Sequence, residues 1–140
     1  MIAVIRISGD VNITERTRET LFRMRIRRKY ATVLLQPTKP NMKLLEHVRN
    51  FVAFGTIDNA TLALLIEKRG QLKEKGKKLE VEKIINQIEK KEAAHWDIKP
   101  FFRLHPPRGG IDSKKHYGTS KKAVLGDNKE KINDLIRRML

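Results

Sequence analysis

The chain contains no cysteine, which excludes disulfides, thiolate metal sites and cysteine nucleophiles and leaves nothing that calls for an oxidising compartment. The cytoplasm is the expected location. Long hydrophobic runs are missing as well: the longest, Met1 to Ile5 and Leu62 to Ile66, fall far short of the roughly 18 residues a membrane-spanning helix needs. The opening Met-Ile-Ala-Val-Ile has no basic segment before it, so it is expected to begin a folded domain and not a signal peptide. Acidic residues are scarce, with 16 Asp and Glu against 31 Lys and Arg, a formal charge of +15 on 140 residues. That surplus exceeds what solubility asks of a small domain and implies a polyanionic partner.

Signs of catalysis are weak throughout. His47, His95, His105 and His116 lack the close spacing of a helical metal site, and without cysteine a structural zinc site is not expected. Gly70 and Gly76-Lys77 have five residues between them where a phosphate-binding loop needs four, with Lys78 where Ser or Thr belongs. Glu80, Glu82, Glu89 and Glu92 lie among lysines on an apparently solvated helix, a poor place for acid or base work. The sequence therefore predicts no catalytic residue, no metal, no cofactor and no small-molecule substrate.

The first 57 residues read as strand, helix, strand, helix, strand. Ile2 to Ile7 is an almost wholly apolar, β-branched run, expected to form a central strand covered on both faces. Asn12 with Glu15 can cap a helix that carries Ile13, Thr17, Leu21 and Met24 inward and reaches about Ile26. A second strand spans Ala31 to Gln36, closed by Pro37 and Pro40. A helix from Asn41 buries Met42, Leu45 and Val48, and a third strand runs from Phe51 to Ile57. Both helices should lie on one face of the sheet, since each has one apolar stripe to bury.

Residues 58–140 read as a second unit. Asp58 or Asn59 caps a helix with Leu62, Leu65 and Ile66 inward and Gly70 at its exit. Gln71 to Lys78 reads as a mobile connector. Leu79 to Ala94 forms a helix with Val81, Ile84, Ile85 and Ile88 inward. Trp96, Phe101 and Phe102 read as packing residues. A short strand is expected within Phe101 to His105, and Pro106 to Ser120 holds too much Pro, Gly and Lys for regular structure. Asp127 and Glu130 stand in capping-box spacing before a last helix that buries Ile132, Leu135, Ile136 and Met139.

The positive charge is gathered at the two ends. Residues 1–57 hold 11 basic and 4 acidic groups, residues 58–100 hold 10 and 8, and residues 101–140 hold 10 and 4. Arg23, Arg25, Arg27, Arg28 and Lys29 cluster around the end of the first helix, and Arg16, Arg23 and Arg27 can share one helical side. A solvated helix face is the plainer meaning, but such faces usually mix signs, so phosphate contact is favoured. The segment Arg103, Leu104, His105, Pro106, Pro107, Arg108, Gly109, Gly110 is sharper. Its prolines pre-order the backbone, its glycines permit close approach, and its arginines offer forked donors to phosphate. Lys114, Lys115, His116 and Tyr117 continue the pattern, followed by Lys121 and Lys122. His116 and Tyr117 could stack on unpaired bases, or the whole segment could be an ordinary surface loop.

Two stretches carry a family resemblance. One runs from Thr20-Leu21 through Ile26, Arg28 and Val33 to Leu44-Leu45, Val48 and Phe51-Val52. The more specific one joins Phe102 to Gly110 with Lys131 to Leu140. On these the chain resembles the large-subunit ribosomal protein thirty family in its long archaeal form, whose eukaryotic counterpart is called protein seven. The resemblance implies an α+β fold, a βαβαβ core at 1–57 with a small antiparallel three-stranded sheet related to the ferredoxin-like fold, and a C-terminal subdomain at 58–140 with helices and a basic loop. It implies a structural role in the large ribosomal subunit, bound to large-subunit rRNA, near the 5S rRNA and beside neighbouring ribosomal proteins. Gly126-Asp127-Asn128-Lys129 departs from the family's glycine–asparagine–basic–glycine turn, and the basic N-terminal extension of eukaryotic members is absent, which favours an archaeal source.

The rival reading is a DNA-binding or chromatin-associated basic protein. It would need a tight helix-turn-helix, yet the Lys- and Gly-bearing connector separates the two middle helices. An RNA-processing enzyme would need a pocket of clustered acids or a cofactor loop, and the sequence offers neither.

Overall fold

The computed structural model describes residues 1–74 and 78–140. Six strands form one mixed sheet: β1 (Ile2–Arg6), β2 (Ala31–Leu35), β3 (Val52–Thr56), β4 (Phe102–Arg103), β5 (Asp112–His116) and β6 (Ala123–Asp127), in the order β4-β2-β1-β3-β6-β5. Five helices accompany them: α1 (Glu15–Arg23), α2 (Lys39–Val48), α3 (Asn59–Arg69), α4 (Val81–Lys90) and α5 (Ile132–Met139). The fold is α+β, as the sequence predicts.

The apolar run of β1 makes it the centre of the sheet. It pairs antiparallel with β2 and with β3, Val4 standing opposite Val33 on one side and Phe54 on the other. Its alternate residues feed two separate cores. Ile2 and Val4 pack with Leu21 of α1 and Leu45 and Val48 of α2, while Ala3, Ile5 and Ile7 pack with α3, α4 and α5. The expected placement of α1 and α2 on one face therefore holds, and the C-terminal helices seal the other.

Residues 58–140 also enlarge the sheet. β4 adds antiparallel to β2, with Ala31 opposite Arg103, and β6 adds parallel to β3, with Ala53 opposite Gly126. The antiparallel three-stranded core that the family resemblance implies is present as β2-β1-β3, and β4, β5 and β6 extend it to a six-stranded mixed sheet. β5 falls within Pro106 to Ser120, where irregular structure is expected, and β6 follows it where the sequence predicts no element. β6 takes its place by pairing with β3, more than 70 positions away, and Ala123-Val124-Leu125 is too short an apolar run to announce a strand.

Helix ends differ from expectation for local reasons. Thr14 caps α1, its side chain accepting from the Thr17 amide, in place of Asn12. α1 stops at Arg23 because Arg25 takes φ +64°. The Ile26 amide then reaches back to the Leu21 carbonyl and the Arg25 amide to that of Phe22, the double bond of a Schellman stop. α2 begins at Lys39, with Pro40 in its first turn, where the missing amide costs nothing. α4 ends at Lys90, and Ala93–His95 is a separate 3₁₀ turn. Asp127 accepts from the Lys129 amide, so no capping box with Glu130 forms, and a 3₁₀ turn at Lys129–Lys131 leads into α5. The flanks of the expected mobile connector are tied down, Leu72 bridging to Ile98; residues 75–77 lie outside the described residues.

Candidate nucleic-acid interface

The basic loop between α1 and β2 is held from beneath by Arg6, the last residue of β1. Arg6 is fully buried. Its Nε donates to the Ser8 carbonyl, Nη1 to those of Ile26 and Arg27, and Nη2 to that of Gly9 and to the Asp10 carboxylate. All five donors of the guanidinium are used, which is what makes its burial tolerable. The same hydrogen bond, with the charge of Arg6, holds the Asp10 carboxyl below its ordinary value. One buried cation thereby ties the loop after β1 to the loop that carries Arg25, Arg27, Arg28 and Lys29. Composition alone cannot distinguish Arg6 from a ligand-facing arginine; its position inside a β-branched strand is the signal that could.

β4 brings the second basic segment to the same place. Pairing of Arg103 with Ala31 sets Arg25, Arg27, Arg28, Ala31, Phe101 and Arg103 around one groove of about 410 Å³. No acidic side chain lines it. Among the described residues Arg25, Arg27, Arg28 and Arg103 form no ion pair, whereas Arg23 pairs with Glu19 and Arg18 with Glu15. The exposed cations rest on rings: Arg27 lies 5.3 Å from the Phe22 centroid, Lys29 5.0 Å from that of Tyr30, and Arg103 5.8 Å from that of Phe101. Stacking of this kind leaves the charge in place while limiting how far it swings. Phe101 packs, as expected, against the core beneath α1 and α2, but it is only half-buried and its remaining surface forms a wall of the groove; Trp96 and Phe102 are core residues.

The remaining candidates occupy other surfaces. Arg27 stands beyond α1, so it does not share a helix side with Arg16 and Arg23, both exposed on α1. The segment from His105 to Gly110 folds over the end of α5: the His105 and Arg108 amides donate to the Met139 and Arg138 carbonyls. Arg138 in return donates to the carbonyls of Arg108 and Gly110. Gly109 takes φ +78° at the third position of a turn closed by the Gly110 amide on the Pro107 carbonyl, a conformation glycine adopts freely. His105, Pro106 and Arg108 are exposed, but Pro107 is buried and packs within the fold.

Lys114, Lys115, Lys121 and Lys122 surround an open depression of about 580 Å³ at the β5 edge. His116 is tied by Nε2 to Asn50 Oδ1 at 2.9 Å, and Tyr117 is exposed. β5 and β4 are opposite edges of the sheet. Five steps of about 4.8 Å put the two edges roughly 24 Å apart. The candidate residues thus form a groove at one edge, a lysine cluster at the other, and a turn over α5.

Among the described residues no group of His, Asp and Glu could hold a metal ion, and no helix is long and apolar enough to cross a membrane. No family model matches the chain. It is similar over nearly its whole length to curated proteins named large ribosomal subunit protein uL30. That of Hyperthermus butylicus is 36% identical, covering 99% of this chain and 89% of the relative. That of Archaeoglobus fulgidus is 35% identical over 99% of both, and that of Korarchaeum cryptofilum 32% identical over all of this chain and 95% of the relative.

Proposed function

The chain belongs to the uL30 family of large ribosomal subunit proteins, and from that premise we propose that it is a structural component of the cytoplasmic ribosome that binds large-subunit rRNA, near the 5S rRNA, mainly through backbone phosphates. The observation that carries the rRNA reading is the groove, where Arg25, Arg27, Arg28 and Arg103 meet without an acidic partner. Four forked donors on a rigid loop and strand suit phosphate oxygens and sugar, and so read shape more than sequence. The C-terminal segment supplies Arg103 to this groove through β4, while the turn from His105 to Gly110 over α5 offers a separate basic surface. Neighbouring ribosomal proteins would adjoin the remaining helices.

The test is a salt titration of the full chain on folded large-subunit rRNA fragments, with 5S rRNA and duplex DNA at matched salt beside them. Arg103→Ala with Arg108→Ala should weaken rRNA binding and flatten the slope of log K against log salt by up to roughly 2. Equal affinity for duplex DNA would favour the DNA-binding reading, and an unchanged slope would remove both arginines from the interface.

A further inference from the structure

The groove holds more than a phosphate site requires. Phosphate recognition needs cations and amides, yet a wall here is an aromatic ring, Phe101, half-exposed, with Ala31 beside it. The Arg103 guanidinium carbon lies 5.8 Å from the centroid of that ring, so a planar cation and an aromatic ring stand beside each other in the groove. At about 410 Å³ the groove falls at the small end of the range for sites that enclose one compact ligand, roughly 300 to 1,000 Å³. A base inside a duplex offers its edges and not its faces, so a duplex could use the arginines but not the ring. A nucleotide that has left its stack can use both, because every base has a π-face that stacks on aromatic rings and on guanidinium planes.

We infer that the groove between the α1–β2 loop and β4 is a receptor for a single unstacked ribonucleotide, its base stacking against Phe101 and Arg103 and its phosphates on Arg25, Arg27 and Arg28. This rests on the rRNA-binding reading and adds to it the class of RNA feature that the groove selects: a bulged or looped-out nucleotide within a helical segment. The lysine cluster at the β5 edge lacks an aromatic lining residue and serves backbone only.

The receptor is tested with two RNA hairpins of the same stem, one fully paired and one carrying a single bulged 2-aminopurine, titrated with the full-length chain at fixed salt. The bulged hairpin is expected to bind about tenfold tighter, within the range of one base stacked on an aromatic side chain, with a change in 2-aminopurine fluorescence on binding. Arg103→Lys keeps the charge but loses the planar stack, and Phe101→Leu keeps an apolar wall. Phe101→Leu should abolish the preference for the bulge while leaving affinity for the paired hairpin and the salt slope unchanged; Arg103→Lys, at a residue that also meets phosphate, should abolish the preference and weaken binding of both hairpins. Circular dichroism melting of both variants, unchanged from the parent, keeps the comparison sound. Equal binding of both hairpins with a steep salt slope would overturn the receptor and leave the rRNA reading standing. No salt-sensitive binding to either would overturn both.

Discussion

Arg6 donates to the main-chain oxygen of Arg27 at 2.5 Å, so a buried arginine in the central strand fixes the height of an exposed arginine in the loop between α1 and β2. The loop is short, and both of its ends are non-glycine residues with positive φ, Arg25 at +64° and Tyr30 at +65°. Without Arg6, the carbonyls of Ile26 and Arg27 would lose their shared donor. Arg6→Met, which fills similar space with an apolar chain, is expected to destabilise the protein by about 2 to 4 kcal/mol, because several inward-facing carbonyls are left without partners. Urea denaturation should show a lower midpoint at constant slope. Asp10→Asn, which touches only the exposed arm of the same network, should leave the urea midpoint close to that of the parent.

Arg25 separates binding from folding. Its left-handed backbone is costly for a residue with a Cβ, and glycine would adopt it without strain, though glycine also gains freedom in the unfolded chain. Arg25→Gly should therefore leave the melting temperature unchanged or slightly raised while lowering rRNA affinity and reducing the salt slope by about one. A large drop in melting temperature would show that the guanidinium, and not the backbone, closes α1.

Gly55 in β3 faces the start of α5. A Cβ there would collide with the Lys129 carbonyl oxygen and crowd the Ile132 side chain at 3.0 Å. Backbone cannot yield as a flexible side chain does, so Gly55→Ala should destabilise by about 3 kcal/mol. The loss should be visible as a lower thermal midpoint with the far-ultraviolet spectrum at low temperature retained.

The three central strands and five helices were legible because their apolar residues repeat at the strand and helix periods and their ends carry turn residues. The interface was legible only as composition. Arg25, Arg27 and Arg28 stand 75 or more positions from Arg103, and no periodicity announces that β4 will pair with β2. Phe101 read as core because an aromatic beside Phe102 usually is. Arg27 read as helical because an arginine at position 25 does not by its type announce a left-handed turn. The local clue was Leu21 with Ile26, an apolar pair at the spacing of a Schellman stop, both residues being wholly buried. β5 escaped detection because its own residues, Asp112 to His116, are polar at an exposed edge.

Two carboxylates contribute to the dependence of stability on acid pH. Asp10 is held below its ordinary value by the Arg6 hydrogen bond and charge, and Asp58 by its hydrogen bond to Thr61 as N-cap of α3, with Arg137 adding attraction. A carboxylate with a lowered folded pKa contributes stability in full above its unfolded pKa, near 3.8. That contribution is lost as pH falls from there through the folded value. Stability should therefore be insensitive to these two groups from pH 5 to 8 and decline below about pH 4. Asp10→Asn with Asp58→Asn should flatten that decline in urea midpoints taken between pH 2.5 and 6. An equally steep decline in the double variant would place the acid-sensitive groups elsewhere.

The basic residues at the two edges of the sheet share no partner and lie roughly 24 Å apart, so their contributions to binding should be independent. Arg28→Gln with Arg103→Gln removes two cations from the groove, and Lys114→Gln with Lys121→Gln removes two from the depression beside β5. On large-subunit rRNA each pair should reduce the salt slope by somewhat under 2, and the four together by close to the sum. On a short hairpin that can reach only one edge, one pair should matter and the other should not. If all four together cost no more than one pair, only one edge meets RNA, and the cations of the other serve a different neighbour in the subunit.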